Sequence, residues 1–167
     1  RLGRLYIRAM DPIMLNYYMG IALQEAGVAF EKGEVPVGAV VVFENKIIGR
    51  GHNLTASMHD ASAHAEMVAL SAAYNHFKDW RLENCLLVST LEPCPMCAGA
   101  AMLSRIGTIV FGARDPKFGA CGSIIEIPRE SRFNHRIGVI EGVRGEEVAD
   151  LMKQFFREVR QKKERIN

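Results

Sequence analysis

The run Thr90-Leu91-Glu92-Pro93-Cys94-Pro95-Met96-Cys97-Ala98-Gly99-Ala100, read with His64-Ala65-Glu66 upstream, restricts the folds open to this chain more than any other stretch. Cysteines three apart share a face only where the turn between them is helical. Pro95 suits a first helical position, because its missing N–H would be unpaired there in any case. A helix therefore starts at Pro95, directly after the apolar run Cys85 to Thr90. His64 stands 30 positions before Cys94, so only a fold that brings two helix starts to one point lets it join the cysteines. Two sulfurs and one nitrogen make an incomplete tetrahedron around zinc, with the fourth corner left for water. The unpaired N–H groups of a helix start also favour thiolate over thiol.

Glu66 is not needed as a ligand and is free to move protons for that water. In a regular helix, residues two apart diverge by about 200°. His64 and Glu66 can face one pocket only if His64 lies at or before the helix start, in a non-helical conformation. Asp60 and Ser62 are the candidate caps that permit this. Two thiolates and a neutral imidazole neutralise Zn²⁺, and zinc lowers the pKa of its bound water to about 7. A carboxylate brought toward neutrality by a desolvated pocket can take that proton and pass it on. Two other readings of the same residues stay open. A closed zinc knuckle needs a fourth ligand, and Cys85, Cys121, His52, His59, His76 and His135 are available. A redox Cys-x-x-Cys is the other, although it leaves His64 and Glu66 without a role.

At 167 residues the chain suits one compact domain with a substantial core. A hydrophobic fraction of 49%, a charged fraction of 24% and a net charge of +2 are ordinary for a globular protein and signal nucleic acid only weakly. No run of about 18 apolar residues is present, so no membrane helix is expected. No secretory leader opens the sequence, and the four cysteines read as metal ligands plus two small buried hydrophobes, Cys85 and Cys121. A cytoplasmic location is expected.

Helical spacing begins at Met14 and runs through Leu15, Tyr18, Met19, Ala22, Leu23, Ala26 and Phe30 to Gly33. Val37 to Phe43 is β-branched, Glu44-Asn45-Lys46 turns it, and Ile47 and Ile48 begin the return strand. Gly51 to Asp60 reads as polar loop. A helix follows over Ala65 to Tyr74, then a strand over Cys85 to Thr90 and a helix from Pro95 to about Ser104. Thr108 to Phe111 is a strand, Gly112 to Gly122 a loop, and Ile124 to Ile127 either a turn or a short strand. Ile137 to Val139 is the fifth strand, and Glu146 to Lys163 a helix with Val148, Leu151, Met152, Phe155 and Val159 on one face. This order predicts an α/β fold, a three-layer α/β/α sandwich around a mixed five-stranded sheet. Residues 1–13 read as an N-terminal extension of unknown role, and 14–167 as a single domain.

His-Ala-Glu followed by Pro-Cys-x-x-Cys resembles the cytidine deaminase superfamily. Further segments sharpen the likeness: Gly33 to Ala39, Pro93 to Ala100, Ser104 to Gly107, Phe111 to Asp115 and Phe133 to Arg136 together resemble the tRNA-specific adenosine deaminases, from about Leu15 to Arg160. The resemblance implies a cytidine-deaminase-like fold and a homodimer holding one Zn²⁺ per subunit. It also implies hydrolytic conversion of adenosine to inosine at the wobble position of a tRNA anticodon loop. Carried over by position, His64, Cys94 and Cys97 are the ligands, and Glu66 is the proton shuttle for a zinc-activated hydroxide. Asn53 contacts the target nucleoside, Val37 lines the base pocket, and Asp115 lies beside the bound loop. Phe156, Arg157 and Arg160 belong to a C-terminal helix that contacts the anticodon stem-loop. Asp60-Ala61-Ser62-Ala63 stands where the family usually has Asp-Pro-Thr-Ala, and Glu158 and Val159 separate the arginines of the last helix.

Each accessory residue also has a plainer reading. Asn53 and Asp115 suit turns, and Phe155 continues an apolar face while Phe156 leaves it. Arg157, Arg160, Lys162, Lys163 and Arg165 also suit a solvated helix end. Two rival functions remain. One is a deaminase of free guanine- or cytosine-type bases or nucleotides. The other is a zinc-stabilised nucleic-acid-binding module without catalysis.

Overall fold

The structure, a computed structural model, describes residues 10–166. The sheet is five-stranded in the order β2-β1-β3-β4-β5. Its strands are β1 (Gly38–Phe43), β2 (Lys46–His52), β3 (Leu86–Leu91), β4 (Thr108–Ala113) and β5 (Gly138–Ile140). β1 runs antiparallel to both β2 and β3, while β3, β4 and β5 are parallel. The mixed three-layer expectation is met.

Side chains alternate across a strand, and the three central strands are apolar on both faces. Val40, Val42, Leu86, Val88 and Val110 meet Leu15, Tyr18, Met19 and Ala22 of α1 (Pro12–Glu31). Ala39, Val41, Leu87, Ile109 and Phe111 face the other way. They meet Ala65, Ala69, Leu70 and Ala73 of α3 (Ala65–Phe77) and Ala98, Ala101 and Met102 of α4 (Pro95–Leu103). Each fully buried Val or Leu contributes about 1.5–3 kcal/mol, so the central strands are the most firmly held part of the molecule. The last helix, α5 (Gly145–Ile166), joins the α1 layer, with Val148 and Phe155 buried and the Phe155 ring edge-on to Phe30 at 5.6 Å.

α3 lies unusually close to β2. A Cβ on Gly51 would stand 2.4 Å from the carbonyl oxygen of Ala65, and one on Gly49 2.3 Å from that of Ala69. Glycines on the strand and alanines on the helix therefore set the depth of α3, and with it the position of the residues at its start.

Several boundaries differ from the sequence reading. α1 begins at Pro12, two residues before the expected start, because the Asp11 carboxylate caps it by accepting from Ile13 N at 2.9 Å. The expected extension 1–13 thus ends inside a helix; residues 1–9 lie outside the described residues. β2 continues to His52. The expected polar loop contains a short helix, α2 (Thr55–Met58). The stretch 124–127 forms no strand beyond a single bridge between Cys121 and Glu126, across a turn at 122–123.

Candidate active site

The starts of α3 and α4 meet at the carboxyl end of β3. His64 is the residue before α3 and is extended (φ −75°, ψ 153°), as is Cys94 before α4 (φ −73°, ψ 172°). The two-residue spacing problem is solved as the sequence required: His64 is outside the helix and Glu66 is in its first turn. The cap is not what was expected. Neither Asp60 nor Ser62 caps α3; the Asp60 carboxylate instead accepts from Ser62 N at 2.8 Å and Ser62 Oγ at 2.7 Å, closing its own turn. A side chain bonded two residues ahead is spent before the helix begins.

His64 Nδ1 lies 3.5 Å from Cys94 Sγ and 3.6 Å from Cys97 Sγ, and the three ligand atoms all fall within 4.8 Å of one another. Tetrahedral zinc with bonds of about 2.0 Å to nitrogen and about 2.3 Å to sulfur sets their separation at about 3.6 Å, so the donors fit that ion in both chemistry and spacing. Among the described residues this is the only group of three or more His, Cys, Asp or Glu residues placed to hold a metal. Cys85 and Cys121 stand apart from it as buried thiols, each pushed up to about 12 by burial. Among the described residues no fourth His, Cys, Asp or Glu joins this group.

The electrostatics favour an ionised sulfur at Cys94 and a protonated one at Cys97. The Cys97 thiol donates to Cys94, and with the His64 ring beside it this holds Cys94 well below the usual thiol range. Cys97 is pushed up because it donates that bond and is buried. The hydrogen bond to Cys94 raises His64, against the opposing effect of burial. Glu66 is buried and raised above the usual carboxylate range by desolvation, while a hydrogen bond with Cys97 pulls the other way.

Asn53 and Val37 flank the same rim. Asn53 N donates to Val37 O at 3.1 Å, and Leu54 N donates to Ala63 O at 2.9 Å, one residue before His64. Gly38 N donates to Thr90 Oγ1 at 3.1 Å, tying the start of β1 to the end of β3. The Asn53 amide is oriented on both sides, accepting from Thr55 Oγ1 at 2.7 Å and donating to Glu34 Oε2 at 3.5 Å. Asp115 is half-buried and does start a turn, accepting from Lys117 N and Phe118 N at 2.9 and 3.2 Å. Its own N–H donates to Glu92 Oε2 at 2.9 Å. Phe156, Arg157 and Arg160 are exposed on α5, a separate element from the pocket, while Phe155 is core.

Sequence reasoning missed two buried carboxylates. Glu34 accepts from Ala56 N, Ser57 N and Ser57 Oγ at 3.1, 2.6 and 2.7 Å, which explains why α2 exists at all. Glu92 accepts from Cys121 N and Ser123 N, both at 3.0 Å, besides Asp115 N and Ser123 Oγ. Burial pushes both carboxyls up, and these donors outweigh it, leaving both below the usual range. The only local signal was an acidic residue set directly beside an apolar strand.

A family model described as MafB19-like deaminase matches residues 15–160. The chain is 50% identical over 146 residues to the tRNA-specific adenosine deaminase of Bacillus subtilis (strain 168), covering 87% of this chain and 91% of that one. Among solved structures, one from work on A-to-I editing by tRNA:A34 deaminases at the wobble position of transfer RNA superposes with a TM-score of 0.78 at 38% identity, over 81% of this chain and 98% of the other. A guanine deaminase from Nitrosomonas europaea shares the frame less closely, with a TM-score of 0.69 at 27% identity over 84% and 83%. Identity thus rises from 27% with a guanine deaminase to 50% with a tRNA-specific adenosine deaminase, and the chain belongs to the MafB19-like deaminases and, within them, to the tRNA-specific adenosine deaminase family.

Proposed function

We propose that this protein converts adenosine to inosine at the wobble position of a tRNA anticodon loop, by hydrolysis at a zinc site held by His64, Cys94 and Cys97. The observation that carries the reading is the convergence of those three donors at 3.5 and 3.6 Å with the buried Glu66 beside Cys97. Zinc, when bound, supplies Lewis acidity that makes a water acidic near neutral pH. Glu66 would carry one proton from that water to a ring nitrogen and a second, from the hydroxyl added at the carbon, to the departing amine, and its desolvated carboxyl suits both steps. Chemistry at C6 of adenine requires the base out of its stack. Val37 and Asn53 receive it, and the Glu34 and Thr55 bonds leave the Asn53 amide a second N–H for the nucleoside.

Outside the pocket, Asp115 sits beside the anticodon loop, and Phe156, Arg157 and Arg160 approach the stem-loop as one stacking ring and two phosphate-binding cations. The working form is a homodimer with one zinc ion per subunit. No helix among the described residues is long and apolar enough to cross a membrane, and we assign the protein to the cytoplasm with its transfer RNA substrate. The expected result is inosine at the wobble position of an anticodon stem-loop RNA, no ammonia from free guanine, cytosine or nucleosides, and loss of turnover on chelation that zinc restores. Ammonia release from free guanine alone would transfer the assignment to a base deaminase.

A further inference from the structure

We propose that Glu92 is a positioning residue for loop 115–123: it locks that loop to the cysteine turn, so that binding of the RNA substrate depends on it while metal binding does not. The proposal rests on the RNA-editing reading above. Glu92 stands two residues before Cys94, and the backbone on either side is already joined to the loop. Glu92 N donates to Ala113 O at 2.8 Å, and Ala120 N donates to Pro93 O at 2.9 Å. The carboxylate completes the clamp. Oε2 accepts from Asp115 N and Ser123 Oγ, and Oε1 accepts from Cys121 N and Ser123 N, so both ends of the loop close on one side chain.

Gly119 shows how tightly the loop is drawn in. A Cβ there would stand 2.4 Å from the Glu92 carboxyl carbon and from Oε2, so a side chain at 119 cannot coexist with the clamp. With both oxygens committed to loop donors, Glu92 is built to hold structure rather than to exchange protons with substrate. The loop in turn presents groups that RNA recognises. The turn closed by Asp115 leaves Lys117 and Phe118 exposed, Phe118 at 66%. A cation and an aromatic ring on a fixed turn beside the ligand cysteines suit a phosphate and an unstacked base.

The test compares Glu92→Gln and Gly119→Ala with the unmodified zinc-loaded protein. Whichever way the introduced amide turns, its N–H₂ faces a backbone donor; the alanine substitution at 119 attacks the same contact from the loop side. The measurements are kcat and KM on an anticodon stem-loop RNA, binding of that RNA by titration, zinc per subunit, and the rate of tryptic cleavage after Lys117. Both variants are expected to raise KM about tenfold with kcat within about twofold, to keep their zinc and to be cut faster at Lys117. Unchanged KM and cleavage, or kcat and zinc falling together, would overturn the proposal. Wild-type protein that bound the stem-loop without editing it would overturn the functional reading alone, and RNA titration with Lys117 cleavage would still decide the role of Glu92.

Discussion

The start of α3 and the turn between β3 and α4 each shield a glutamate from solvent, and they treat it in opposite ways. Glu66 is 3% exposed and Glu92 is 2% exposed. At Glu66 desolvation dominates and the carboxyl is raised. At Glu92 desolvation is overcome by N–H and O–H donors converging on it, and the carboxyl is lowered. Glu34, 3% exposed and also bonded to backbone N–H groups, follows Glu92. Burial alone therefore does not mark a proton-transfer group. The supply of fixed donors, set against how deeply the group is buried, decides whether a carboxyl is lowered and organises loops or is raised.

The contrast is broken most directly by Glu66→Gln. Loss of a general acid–base should lower kcat by about 10²–10⁴-fold with zinc content unchanged; a variant with nearly normal kcat but weakened folding would make Glu66 another structural anion. Glu92→Gln should cost about 1.5–3 kcal/mol of folding stability at neutral pH, since it breaks hydrogen bonds to a charged group. Because the folded carboxyl lies below its unfolded value, that contribution is present above the ordinary carboxylate range. It is lost as pH falls through the lower folded value. Urea unfolding of wild type and variant should accordingly converge in acid. Glu66 has the opposite sign. Its raised folded pKa means that wild type loses stability relative to Glu66→Gln as pH rises through that value. Ser123→Ala removes one donor of the Glu92 set and should cost about 0.5–1.5 kcal/mol, with kcat unchanged. A larger loss would mean that the hydroxyl carries more of the clamp than the backbone does.

The grouping of His64, Cys94 and Cys97 was legible because its information is local. Pro95 and the three-residue cysteine spacing specify a helix start, and the His64-Ala65-Glu66 spacing demands a break at His64; both are present. The core faces of α1 and α5 followed from period alone, and Phe155 and Phe156 fell on the expected sides. The cap of α3 misled, because Asp60 bonds within its own turn. α2 was unreadable because the acceptors for its first N–H groups come from Glu34, more than twenty residues earlier. Asp115 could be read as a turn starter, but the partner of its N–H could not.

By itself the sequence determined the layer order, the grouping of His64, Cys94 and Cys97 and the place of Glu66, since helix and strand periods and helix-start chemistry act within a few residues. Only the tertiary structure decided how deep α3 sits, what orients Asn53, and that the Glu34 and Glu92 carboxyls lie below the usual range. Those outcomes depend on which distant backbone donors reach a buried carboxylate, and donor geometry across the fold is not written in the spacing of neighbours.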